Sequence, residues 1–555
     1  MDAEQPLGVV LGSHDATPLD LWIGVAPGRV VQVDDWVEVR AVLADGRAVS
    51  YFGQVDQVRK RFEGSTYDSD AFRVAAGTLP VDTSYAAHVA VTRIEPELYA
   101  PPQPGDPAWP VRGDTYDRAL GFDQMVKKLP AGLTRADERP VYLDLEFLDG
   151  TRGAHASISG VSGVATKTSY ATFLLYALFH SDVLGADATN TKAVVFNVKG
   201  EDLLWLDHPN RALPERDRAR YDKLGLPVGP FRSVGLFAPP RKHSDTLVPD
   251  TGGRHHGVAP YVWTVRRLAL DGLLRFAFAD AEDARAQLSF VISRVERELL
   301  SCARTGDPAD PGIDLRGHRV TSFQQLVDAL DLELDAMCPA VAPGTRDAFR
   351  RRLQYAAQHL GHLVRGDADA VGKEPGWRGA QVTVVDLHTL HSTAQMFVVG
   401  VLLKKLLEEK ERAGTSKPLV LIVLDELNKY APRTGWSPIQ DVLLDVAERG
   451  RSLGVVLVGA QQTASEVERR VVANAAVRVV GRLDAAEAGR AEYGWLGGPA
   501  RDRAAILRPG TMILSQPEWP SPVLVTFPFP AWATRRSEAE VAPVQPALFD
   551  RLEVD

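Results

Sequence analysis

Lys167 and Thr168 open the apolar segment Tyr170–Phe179, directly after the small-residue run Ile158-Ser-Gly-Val-Ser-Gly-Val-Ala-Thr-Lys-Thr-Ser169. A strand, a glycine-bearing loop and a helix start in this order suit a triphosphate. Backbone N–H groups wrap the phosphates, the helix N-terminus faces their charge, the ammonium reaches the terminal groups and the hydroxyl ligates magnesium. The candidate ATP-binding residues are therefore Gly160, Val161, Ser162, Gly163, Val164, Ala165, Thr166, Lys167, Thr168 and Ser169. The interval from Gly160 to Lys167 is one residue longer than the usual G-x-x-x-x-G-K spacing, and Ala165-Thr166 stand where a glycine would precede the lysine. Taken alone, the segment also fits a glycine-rich strand-to-helix turn with an incidental lysine.

A second motif lies far along the chain. Pro418–Leu424 is an unbroken apolar run of the kind that forms a central parallel strand covered on both faces, and it ends in Asp425-Glu426. Carboxylates at the C-terminal end of such a strand sit where open α/β sheets bind ligands. Asp425 is a candidate magnesium ligand through water, together with Thr168, and Glu426 a candidate to polarise an attacking water. The pair suits hydrolysis better than simple binding. Gln461 follows the next buried run, Val455–Val458, at the same sheet edge, where a neutral amide can orient water or sense the terminal phosphate. Arg451 and Arg449 precede that run on the opposite edge. They could reach a neighbouring subunit's nucleotide in a ring, as trans-acting arginines worth roughly three to five orders of magnitude in rate; the alternative for each is a surface charge.

The elements that must position these groups alternate. Val141–Leu145, Ala156–Ser159, Lys192–Val198, Val382–Leu387, Leu419–Leu424, Gly454–Gly459 and Val477–Arg482 read as strands, with helical segments between several of them, which predicts a parallel sheet with crossover helices. Residues 1–100 instead hold short Val-rich runs (Leu7–Leu11, Leu21–Val25, Val30–Val33, Trp36–Val42, Ala48–Val58, His88–Ile94) that suggest a small β-barrel. The expected organisation is a barrel over 1–100 and a Pro-rich connector over 101–139. An α/β core follows over 140–202 and 379–530, interrupted by a mostly helical insertion at 203–378, with a C-terminal arm over 531–555.

Bulk properties narrow the class. A chain of 555 residues can hold about three domains. A net charge of −9 argues against wholesale coating of nucleic acid but permits a locally basic channel. Cys302 and Cys338 are far apart and not grouped with histidines, which makes a disulfide framework or zinc site an unsuitable reading. His255-His256 lacks a third ligand and reads as loop. With no secretory segment and no apolar stretch of membrane-spanning length, a cytoplasmic protein is expected.

The order of barrel, phosphate loop, helical insertion, Val-Leu-Asp-Glu426 and Gly450-Arg-Ser-Leu-Gly-Val-Val-Leu-Val-Gly-Ala-Gln-Gln462 resembles the HerA family of RecA-like hexameric ATPases, relatives of FtsK-type DNA pumps. The resemblance spans most of the chain. It places the family's Walker A pair on Lys167 and Thr168, its Walker B pair on Asp425 and Glu426, its sensor on Gln461 and its trans-acting arginine on Arg451. It implies an ATP- and Mg2+-dependent homo-hexamer that translocates double-stranded DNA through a central pore. A NurA-type nuclease or another effector would dock on the barrel, in DNA repair or antiviral defence. Gln462-Thr463 stands where many members have Arg-Pro. A nucleotide-binding scaffold that recruits an effector with little motor activity is the alternative.

Overall fold

The structure, a computed structural model, describes residues 5–540 except 66, 162–166, 243, 245, 255, 279–286 and 436–437. The chain forms two compact units, each assembled from separate stretches: 1–147 with 476–527, and 148–475 with 528–555.

The first unit contains a closed six-stranded barrel built from Gly8–Val10, Asp20–Val25, Trp36–Val42, Ala48–Glu63, Asp82–Glu95 and Pro107–Pro110. Alternating residues of these strands, among them Leu21, Ile23, Val37, Val39, Val55 and Val89, fill its interior. Two expectations change here. Val30–Val33 is a connection, with Val31 pinned by a hydrogen bond from its N–H to the Tyr85 hydroxyl. The Pro-rich connector supplies the closing strand, because Pro107 and Pro110 lie on a short strand whose ladder needs few donors. The same unit holds antiparallel pairs: Val477–Val480 with Thr511–Ser515, Thr511–Ser515 with Val523–Thr526, and Lys128–Leu133 with Pro140–Asp144. Residues 128–144 and 476–527 thus cluster with the barrel rather than with the core to which the sequence assigned them from 140 onward and through 530.

The second unit is built on a run of seven parallel strands in the order Val258–Pro260, Val234–Ala238, Val382–Asp386, Thr191–Asn197, Leu419–Asp425, Val455–Gln461 and Ala156–Ser159. Every residue of Val382–Asp386, Leu419–Asp425, Val455–Gln461 and Ala156–Ser159 is buried, as a sheet covered on both faces requires. The helix Lys167–His180 is buried nearly all round, and so behaves as a core element rather than an amphipathic one. Ser392–Ala413 is capped by His391, whose Nδ1 accepts from Thr393 N–H, and stops at Gly414 in the left-handed region.

The expected insertion at 203–378 holds the helices Glu215–Lys223, Val265–Leu270, Gln287–Thr305, Phe323–Met337 and Pro343–Leu360, most of them in its later part. Its first part adds Val234–Ala238 and Val258–Pro260 to the parallel sheet. These strands are short, and the glycine and prolines in and beside them mask the apolar signal. The expected arm also differs. Over 531–539 it is packed, with Trp532 buried against Tyr176 and Phe231 and Ala531 N–H bonded to the Tyr221 hydroxyl.

Candidate active site on the sheet's C-terminal edge

Parallel register aligns the strand ends. Asp386 lies beside Asn197, Asp425 beside Ala460, and Gln461 beside Ser159. The strand ending in Gln461 is inserted between the strand that leads into the small-residue loop and the strand that ends in the acidic pair. Three strand ends therefore converge, and the helix Lys167–His180 begins next to them.

Thr168 donates its hydroxyl to Asp425 Oδ2 at 2.7 Å, a contact between residues 257 positions apart. Lys167 is 1% exposed, and its ammonium has no hydrogen-bond partner among the described residues. Burial lowers its pKa from 10.5 to about 8, against the opposing pull of Asp425 and Glu426, while Lys199 adds to the fall. A buried, unpaired ammonium is costly unless an anion arrives. Asp425 is 2% exposed and accepts from Glu426 N–H at 2.8 Å. Glu426 itself has a left-handed backbone, φ +57° and ψ +44°. In a residue other than glycine this costs about 1–2 kcal/mol, and it turns the chain abruptly out of the strand so that consecutive carboxylates stay at the same edge. Lys429, one helical turn on, pairs with the Glu426 carboxylate.

Gln461 is fully buried. Its Nε2 donates to Ser157 Oγ at 2.7 Å and to Ser159 Oγ at 2.9 Å, two hydroxyls that share a face because strand side chains alternate. That clamp fixes the amide plane and leaves Oε1 without a partner among the described residues. His155, just before the serines, is buried and accepts from Leu457 N–H at 2.9 Å. Burial pulls its pKa down to about 4, so it is a neutral structural group.

Of the sequence-nominated residues, the structure brings together Lys167, Thr168, Asp425 and Glu426, with Gln461 on the adjoining strand. Gly160 N–H donates to Gln461 O at 3.2 Å, and Val161 and Ser169 flank the loop. Ser162, Gly163, Val164, Ala165 and Thr166 lie outside the described residues. Arg451 is elsewhere, in the last turn of Pro438–Leu453, where it donates to Gly150 O at 3.0 Å and Thr151 O at 2.8 Å. Arg449 pairs with Glu411. Several other basic groups are engaged within the chain: Arg266 with backbone carbonyls of Ala303 and Asp310, Arg267 with Asp271, and Lys128 with Asp117.

Lys199 was not nominated from sequence. It follows the strand Thr191–Asn197, and its ammonium lies 3.1 Å from Asp425 Oδ2 and 3.6 Å from Glu426 Oε1. A lysine just past a buried strand on the ligand edge is the only signal that could have marked it. Asp386 is buried too, bonded to His388 at 2.8 Å and to Asn197 Nδ2 at 2.8 Å. Its burial raises its own pKa, and the carboxylate in turn raises that of His388.

A lysine and a threonine at one helix start and an acidic strand end lie on one edge of a parallel sheet, in an α/β core accompanied by a small β-barrel. The Lys167 ammonium, unpartnered among the described residues, with the hard oxygens of Thr168 and Asp425, fits a magnesium-bound nucleoside triphosphate. No protein-family profile and no curated protein matches the chain. Among solved structures it is similar to VirB4 of Thermoanaerobacter pseudethanolicus, at 15% identity over 72% of this chain and 96% of that one, with a TM-score of 0.45. It is also similar to the bacterial conjugative coupling protein TrwB in complex with sulphate (14% identity, 75% and 94% coverage, TM-score 0.47) and in complex with ADP and Mg2+ (14%, 76% and 94%, 0.45). Among the described residues, no helix is long and apolar enough to cross a membrane.

Proposed function

We propose that the chain is an ATPase that converts hydrolysis into movement along double-stranded DNA, in a HerA-like homo-hexameric ring. The observation that carries this reading is the Thr168–Asp425 contact beside the buried, unpaired Lys167. In the proposed site Lys167 would hold the phosphates of the nucleotide, and Thr168 and Asp425 would hold the metal. Magnesium, when bound, would offset phosphate charge. Glu426 accepts a proton from the attacking water, and Gln461 directs its free carbonyl oxygen at that water, where it can accept the water's other O–H. Arg451 acts on a neighbouring subunit's nucleotide after leaving its contacts with Gly150 and Thr151. The barrel receives a partner, a nuclease of the NurA type or another effector, for DNA-end processing or antiviral defence.

The test is nucleotide turnover with and without duplex DNA across a salt series. Turnover should rise with DNA and lose that stimulation as salt increases, because sequence-independent contact is to phosphates. Lys167→Ala should abolish nucleotide binding. Glu426→Gln should keep binding and reduce turnover by roughly two to four orders of magnitude. If Glu426→Gln preserves biological function while Lys167→Ala destroys it, the chain is a nucleotide-gated scaffold and the motor reading fails.

A further inference from the structure

Lys199 is the one cation among the described residues whose ammonium lies within ion-pair distance of both carboxylates of the acidic pair. It is held for that task. Asn197 Nδ2 donates to Gly200 O at 2.8 Å and closes the turn that carries Lys199, with Gly200 in a left-handed conformation. On the far side, Gly253 N–H donates to Glu201 Oε1 at 2.6 Å, which fastens the outgoing chain. The turn is thus pinned at both ends. The lysine stem itself is 40% exposed, so the ammonium can swing away without disturbing the core. The charges that face Lys199 are Asp425 and Glu426, with Lys167 on the helix start and Lys429 on the other side of Glu426.

Asp425 is 2% exposed and has no other cation in contact among the described residues. Leaving a buried carboxylate without its paired cation is costly. From this arrangement we propose that Lys199 is the internal counter-ion of the metal position. It holds Asp425 and Glu426 when no metal is bound, and it must be displaced before the metal can be accepted. Lys199 therefore sets the metal concentration at which the site loads. It is a positioning residue, not one that reacts, and this assignment rests on the nucleotide reading given above.

The predicted sign is unusual for a lysine in a phosphate site: removing it should help the metal. The experiment titrates Mn2+ into the full-length protein at fixed ADP and follows free Mn2+ by its electron paramagnetic resonance signal, which requires no turnover. Lys199→Gln is expected to lower the half-saturating Mn2+ concentration by roughly three- to tenfold, the range for a charged hydrogen bond whose lysine end is partly exposed. Lys199→Arg should stay near wild type, and metal-free ADP affinity should stay within about twofold for both. Added salt should shrink the difference between Lys199→Gln and wild type. An unchanged or higher Mn2+ requirement in Lys199→Gln, with wild type and Lys199→Arg loading normally, overturns the counter-ion role alone and makes Lys199 a phosphate contact or a bystander. If wild type takes up no Mn2+ with ADP, or Lys167→Met takes up as much as wild type, the nucleotide reading falls and this proposal with it.

Discussion

The buried ammonium of Lys167 leads to a prediction in which losing function improves stability. A fall of its pKa from 10.5 to about 8 corresponds to about 3 kcal/mol, at roughly 1.4 kcal/mol per tenfold change in proton affinity. In the nucleotide-free protein that energy opposes folding, because the charged form is fully solvated only when unfolded. The sign follows from proton counts. Between pH 8 and 10.5 the unfolded chain binds more protons at this site than the folded one, so stability rises with pH across that window. Below about pH 8 the penalty is at its full value and constant. Lys167→Met keeps the apolar stem packed and deletes the charge. With chelator and without nucleotide at pH 7, it should stabilise the unit by about 1–3 kcal/mol in urea unfolding, and the gain should close towards pH 10. Saturating Mg·ATP should add about 2.7 kcal/mol to wild type at a hundredfold excess over Kd and nothing to the variant. Near pH 8 wild type should also take up a fraction of a proton on binding nucleotide, measurable by calorimetry in buffers of different ionisation enthalpy. A variant less stable than wild type at pH 7, or a difference indifferent to pH, would refute the claim that Lys167 is stored unpaired for a phosphate.

Three further outcomes follow from other residues. His155 is held neutral with its pKa near 4, so it contributes fully above pH 6.5, and that contribution falls by up to about 3 kcal/mol as pH drops to 4; His155→Leu should flatten this part of the acid-unfolding curve even if it lowers stability at pH 7. Arg451→Ala should slow turnover by about a thousandfold or more with nucleotide affinity unchanged, while costing only about 1 kcal/mol in a thermal melt for the lost bonds to Gly150 and Thr151; a drop in turnover no larger than that stability loss explains would remove it from the catalytic set. Gly454 enters the Gln461 strand at φ +66°, and a Cβ there would stand 1.7 Å from the Ser416 carbonyl oxygen. Gly454→Ala should destabilise by about 3 kcal/mol or more in urea unfolding, and near-wild-type stability would mean that this junction relaxes freely.

The parts of the site that were legible in the sequence share a cause. Lys167, Thr168, Asp425 and Glu426 each stand at a boundary that the sequence marks by an abrupt change of hydropathy, and their chemistry needs that boundary. Phosphate binding requires a helix start, and magnesium and water require a strand end on the ligand edge. Gln461 was legible for the same reason. Lys199 and the serine clamp were not, because nothing about a lysine or two serines in isolation says which strand will lie beside theirs. Lys199 meets Asp425 only because Thr191–Asn197 pairs with Leu419–Asp425, a partnership across more than two hundred residues that no local pattern encodes. Ser157 and Ser159 meet Gln461 only because Val455–Gln461 is inserted between the other two functional strands. The same lack of local signal hid Val234–Ala238 within the expected insertion and left Trp532 as part of an arm, although it packs in an aromatic cluster with Tyr176. Local chemistry thus nominates the groups proposed to touch ligand, whereas sheet order selects the groups that hold them. If Lys199 acts as the counter-ion of Asp425, then strand order, set by packing far from the loop, also sets the metal threshold of the site. Changes in that packing that shift Thr191–Asn197 against Leu419–Asp425 should alter metal dependence before they alter nucleotide affinity.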